Sequence, residues 1–152
     1  IELDAGDYGQ VGLVSAIRTE QPHDEVARQL FLPGGPLAFL PLSDGQCSIV
    51  WSLPTEEKER YLAMDETKFC QLLTEASGGM LGDVLASGPR AAFPLRRQHA
   101  RRYTVQRVAL IGDAAHVIHP LAGQGVNLGF LDAAVLAEEI ADAHRKGRDL
   151  GG

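Results

Sequence analysis

The stretch from Arg107 to Gly129, RVALIGDAAHVIHPLAGQGVNLG, constrains the fold more than any other part of the chain. An apolar run, Val108 to Ile111, reads as a strand that delivers Gly112 and Asp113. A loop carrying Pro120, Gly123 and Gly125 follows, and a helix is expected from about Gln124 to Ala143. A strand that ends in one acid and feeds a glycine-rich helix start is a device for holding a nucleotide-like ligand. Such a nearly continuous apolar strand wants neighbours on both edges and cover on both faces. The chain offers no second strand–helix unit to supply them, so it reads as a fragment, or as a piece completed by partner chains.

The rest of the chain has a different texture. Strands are expected over residues 8–19, 27–32, 37–42 and 47–53, with Pro33-Gly34-Gly35-Pro36 as a sharp break. Asp44-Gly45 between two apolar runs is a hairpin signal, because both residues tolerate positive φ. A helix is expected after Pro54, capped by Thr55, and a second from Asp65, stopped by Ser77-Gly78-Gly79. Met80 to Leu85 reads as a short turn, and Gly88 to Arg97 as a strand broken near Pro94. The expected class is therefore α+β: an antiparallel sheet with helices over residues 1–104, then one strand–loop–helix unit of an α/β domain over residues 105–152.

With 45% apolar and 22% charged residues, the composition is that of an ordinary globular protein. A net charge of −6 gives nucleic-acid binding no support, and Arg96, Arg97, Arg101 and Arg102 read as a solvated strand and loop. Cys47 and Cys70 show no metal spacing and are expected to stay reduced, which fits a cytoplasmic protein. No signal peptide or membrane-length apolar run is visible. The absence of an initial Met suggests that the amino terminus is a cut.

Among the chemistry-bearing residues, Gly112 suits close backbone approach, and the Asp113 carboxylate suits a sugar or polyol hydroxyl. A bare turn cap is the alternative for Asp113. Gly123-Gln124-Gly125-Val126-Asn127-Leu128-Gly129 places backbone N–H groups at a helix start, but it is not the Gly-x-Gly-x-x-Gly fingerprint. The small-residue stripe Ala133, Ala134, Ala137 and Ala141, with Phe130 and Ile140, is expected to be core. Asp113, His116 and His119 are ligand types, yet a metal site is disfavoured because Pro120 interrupts the loop and no fourth ligand is evident. His116 reads as a packing or loop-bonding residue, and His119 as one that could approach a ligand.

GDAAHVIHPLAGQGVNLGFLDAAVLAEEI resembles the second flavin-binding segment of the class A flavoprotein monooxygenases, the para-hydroxybenzoate hydroxylase-like enzymes. TEQPH at residue 19, FLPGGPLAFLPL at residue 31, SIVW at residue 48 and Phe93-Pro94-Leu95 look like the branch that hydroxylates ubiquinone precursors. The resemblance implies a substrate-domain portion at 1–104 and a carboxy-terminal FAD-domain segment at 105–152. It implies FAD as cofactor, with NAD(P)H as reductant. Gly112, Asp113, Pro120, Leu121, Gly123, Gln124, Gly125, Val126 and Asn127 would bind it. Asp113 would accept from a ribityl hydroxyl, Pro120 and Leu121 would border the ring, and amides of Val126 and Asn127 would face its pyrimidine edge. The implied partner is a small aromatic substrate, a polyprenyl phenol among the candidates. Peripheral membrane or enzyme-complex association and homo-oligomers are compatible with the same resemblance. No catalytic residue is assigned. The family's Gly-x-Gly-x-x-Gly strand is absent, so the isolated chain is expected to bind FAD weakly or not at all. A related FAD hydroxylase of another aromatic, and a non-catalytic binding module, remain as alternatives.

Overall fold

The computed structural model describes residues 2–119 and 124–151. They divide into two compact units, one of Gly9–Leu95 and one of residues up to Tyr8 with Arg96 onward. The strands β1 (Leu3–Thr19) and β6 (Ala91–Ala100) each contribute to both.

In the Gly9–Leu95 unit, β1 is followed by β2 (Arg28–Leu32), β3 (Gly35–Pro41) and β4 (Cys47–Pro54), which pair antiparallel in the order β2-β3-β4-β1, with β6 next to β1. The Pro-Gly-Gly-Pro break is a tight hairpin, with Leu32 opposite Gly35. Gly35 has φ 138°, and a Cβ there would lie 2.4 Å from the Ser52 carbonyl oxygen, so no other residue fits without a shift. The second hairpin turns at Asp44-Gly45 as expected: Gly45 has φ 84°, and the Asp44 carboxylate accepts from Gln46 N–H at 3.0 Å.

Strand alternation gives this sheet two unlike faces. Leu13, Ile17, Leu37, Phe39, Ile49, Trp51 and Leu53 form the buried face. Two helices supply the rest of this core: α1 (Lys58–Ala63) with Tyr61, and α2 (Glu66–Ser77) with Phe69, Cys70 and Leu73. Trp51 and Tyr61 meet edge to face at 5.3 Å. The Asp65 side chain caps α2 by accepting from Lys68 N–H, and Gly78 ends it at φ 62°. Arg90 donates to the carbonyls of Tyr61 and Met64 at the end of α1, with its guanidinium 4.7 Å above the Phe69 ring. Burial pushes the thiols of Cys47 and Cys70 above their usual range, which suits inert core residues.

Three expectations for this unit are corrected. Thr55 does not cap a helix; it begins a 3-10 turn, Thr55–Glu57, that follows Pro54 without a side-chain cap. Residues 80–85 are not only a turn, because Val84 opens β5 (Val84–Ser87) on the edge of β1. Nor is β6 broken at Pro94. It pairs with β9 (His116–Val117) only at Gln98 and His99, so among the described residues one edge is open around Pro94, where a missing N–H is tolerated.

In the second unit, β1, β6 and β9 are adjacent, and a hairpin of β7 (Thr104–Val105) and β8 (Val108–Ala109) stands as a separate pair. A 3-10 turn, Gly112–Ala114, and the helix α3 (Gln124–Arg145) complete it. The exposed Arg97 and Arg101 pair with Asp4 and Glu2. Two corrections concern burial here. The strand expected at 108–111 covers only two residues, and Val108 is 50% exposed. No described residue of α3 is buried, and Phe130 is 69% exposed, so the expected core stripe is open. Both follow from missing cover: an apolar strand and an apolar helix face need layers that these residues do not provide.

Candidate flavin site

The turn after β8 carries the first candidate residues. Gly112 has φ 57°, a left-handed conformation that glycine adopts without penalty, and its carbonyl accepts from Ala115 N–H at 2.8 Å. This closes the 3-10 turn and leaves the Asp113 carboxylate exposed. Gly129 of α3 comes so close that a Cβ on it would sit 3.3 Å from Gly112 Cα. Two glycines thus set the distance between turn and helix.

An open groove of about 690 Å³ runs along this junction. Gly112 and Asp113 line it from the turn, Val117 and Ile118 from β9 and the residues after it, and Gly125, Val126 and Phe130 from α3. The structure therefore brings Gly112, Asp113, Gly125 and Val126 to one groove. Gln124 and Asn127 share the first turn of α3, and the Asn127 amide donates to Gln124 Oε1 at 3.5 Å. Pro120, Leu121 and Gly123 lie outside the described residues.

His116 is a loop-bonding residue, as its sequence context suggested. Its Nε2 lies 2.6 Å from Asp132 Oδ2, and its side chain is 10% exposed. The same Asp132 oxygen accepts from Gly112 N–H at 2.8 Å. These bonds hold the Asp132 carboxyl below its usual range, the Gly112 amide contributing most and His116 next. Sequence reasoning passed over Asp132. The available signal was a lone acid in the apolar run Leu128 to Ala137. His119 stands edge-on to Tyr8 at 4.9 Å, and burial keeps its imidazole below the ordinary value. Among the described residues, no group of His, Cys, Asp and Glu is arranged to hold a metal.

The chemistry of this donor set suits one end of a flavin nucleotide. An exposed, acceptor-only carboxylate meets polyol hydroxyls, and a helix start turns backbone amides and a partial positive charge toward an electron-rich group. Residues 9–150 match the family model described as an FAD binding domain. The chain belongs to that family. Among its relatives, the ubiquinone hydroxylase UbiL of Rhodospirillum rubrum is 42% identical over 144 residues, covering 95% of this chain and 34% of the relative. The human mitochondrial ubiquinone biosynthesis monooxygenase COQ6 is 38% identical over 179 residues, covering 95% of this chain and 38% of that protein. The chain thus spans between a third and two fifths of these relatives' lengths. In structure it resembles PqsL of Pseudomonas aeruginosa, a probable FAD-dependent monooxygenase, with a TM-score of 0.78 and 26% identity over 99% of this chain and 43% of that one. The flavin-dependent halogenase CmlS shares the fold, with a TM-score of 0.65 at 16% identity over 89% of this chain and 26% of that one. The resemblance to the class A flavoprotein monooxygenases is borne out at the level of family, and FAD is the family's cofactor. No helix of the described residues is long and apolar enough to cross a membrane.

Proposed function

We propose that this chain serves an FAD-dependent monooxygenase that hydroxylates the aromatic ring of a phenol, prenylated, in ubiquinone biosynthesis. The observation that carries this reading is the shared groove of Asp113 and the α3 start, in a chain 42% identical to a ubiquinone hydroxylase. Residues 105–152 contribute to the FAD-binding part, with the Asp113 carboxylate accepting from the ribityl chain. The backbone amides of Val126 and Asn127 face the pyrimidine edge of the ring. The α3 amides and helix dipole lie where negative charge collects on the ring edge, and fixed dipoles stabilise that charge without reorganising. Bound FAD supplies the redox chemistry: NAD(P)H and dioxygen are consumed, one oxygen atom enters the ring and the other leaves as water.

Residues 1–104 contribute the substrate side. Gly12, Val14 and Ala16 of β1, Ser48 and Val50 of β4, and Ala38 and Leu40 of β3 share the sheet face opposite the helices. Between Gly12 and Ala16 of β1, and along β3 and β4, that face carries no charge, and Leu40 is 39% exposed. An uncharged wall suits an apolar tail and excludes water from a reactive ring. A cytoplasmic, membrane-peripheral enzyme that associates with itself or with other enzymes is consistent with such a substrate. The likeness to PqsL, also crystallised with 2-aminobenzoylacetate, supports a second reading: an FAD hydroxylase of a different aromatic.

The test uses the protein at its natural length. It is expected to purify yellow, and with NAD(P)H to add one oxygen atom to a prenylated phenol faster than to a soluble one. Asp113→Ala should weaken FAD at least about tenfold, the scale of one lost bond to a charged group. A colourless protein that refuses FAD refutes the proposal, and preference for the soluble phenol selects the second reading.

A further inference from the structure

We infer that Asp132 and His116 form a positioning pair that holds the Gly112–Asp113 turn in its flavin-receiving shape, an inference that rests on the reading of Asp113 above. One carboxylate oxygen ties three separate elements together. Asp132 Oδ2, on α3, accepts from the backbone of the 3-10 turn at 2.8 Å and lies 2.6 Å from His116 Nε2 on β9. Neither Asp132 nor His116 lines the groove, so the pair does not meet a ligand there and acts through the turn.

The need for such a pair is visible in the backbone. Gly112 is in the left-handed region, and a glycine there keeps more alternative conformations than any other residue. Its neighbour Asp113 is exposed, and among the described residues its side chain has no hydrogen bond or ion pair to fix it. An anchored Gly112 amide removes the freedom that a flexible turn would otherwise lose on binding. A carboxylate does this better than a neutral acceptor, because its hydrogen bonds are shorter and stronger. His116, nearly enclosed, fixes the carboxylate in turn.

The experiment is a double-mutant cycle on FAD affinity, read by flavin fluorescence in the natural-length protein stripped of FAD, at a temperature well below unfolding. Asp132→Leu should weaken FAD about tenfold or more. Asp132→Asn keeps an oxygen for the Gly112 amide and should weaken it less. Asp113→Ala combined with Asp132→Leu should be no worse than Asp113→Ala alone, since one residue acts through the other. A folded Asp132→Leu protein with unaltered affinity overturns the pair, as does a double variant whose losses multiply. If Asp132→Leu does not fold, the cycle is run with Asp132→Asn, and multiplied losses or unaltered affinity there overturn it equally. Should Asp113→Ala itself leave affinity unchanged, the reading of Asp113 fails, and the pair has nothing to position. If Asp113→Ala loosens FAD and Asp132→Leu does not, the pair alone fails.

Discussion

Gly129→Ala sets two known effects against each other at one atom. Gly129 is the sixth residue of a helix running from Gln124 to Arg145, so alanine there gains up to about 1 kcal/mol of helix propensity. The new Cβ would lie 3.3 Å from Gly112 Cα, a backbone atom that cannot swing away. Relief requires the helix or the turn to move a few tenths of an ångström. That movement stretches the 2.8 Å bond from the Gly112 amide to Asp132, one turn further along the same helix. Overpacking of this kind costs about 1–3 kcal/mol. The clash is expected to win, leaving the variant up to about 2 kcal/mol less stable once the propensity gain is subtracted. In a domain of this size, that is a fall of a few degrees in Tm, at roughly 2–4 °C per kcal/mol. FAD affinity should fall as well, since the displaced turn carries Asp113. The assay is thermal unfolding of the FAD-free protein beside an FAD titration. Gly125→Ala serves as a stability control, because among the described residues a Cβ at Gly125 meets nothing within 4 Å. If Gly129→Ala melts higher than the parent, as an unobstructed helix glycine would, the close approach does not constrain the turn and the reasoning fails.

Two further outcomes test the surrounding structure. Leu73→Ala empties a fully buried position between α2 and the sheet and should cost about 2–5 kcal/mol by denaturant unfolding; a loss under about 1 kcal/mol would show that the α2 core is not packed as described. His119 is held below its ordinary imidazole value by burial, so the folded state binds fewer protons than the unfolded one. The stability it contributes is complete above the unfolded value near 6.5 and is lost as the pH falls through the lower folded value. Tm should therefore drop more between about pH 7 and about pH 5 in the parent than in His119→Gln, and equal slopes would refute the assignment.

The elements written in local chemistry were legible in the sequence. Gly45 supplies positive φ to its turn, Asp65 offers a carboxylate to an orphan amide, and Gly78 ends a helix in the left-handed region; each requirement is met within a few residues. What failed locally depended on a partner strand. Pro94 reads as a break until one sees that the strand edge beside it is open, and Val84 to Ser87 become β5 only because β1 is there to pair with them.

The candidate site divides along the same line. Asp113 and Gly125 announce themselves by residue type and spacing, whereas Asp132 acts across sixteen residues of chain and shows only as an acid surrounded by apolar neighbours. That anomaly is readable in principle. A carboxylate placed where burial is expected must find donors, and beyond Asn127 and Gln124 of its own helix the polar groups upstream are the turn amides and the histidines of GDAAHVIH. The burial of α3 could not be read this way. Its stripe of alanines with Phe130 and Ile140 specifies that something packs on it, not which residues do. Among the described residues nothing covers that stripe, and β8 is likewise cut short of the run that encodes it. One cause accounts for both. An apolar strand and an apolar helix face each stay open until further layers close over them.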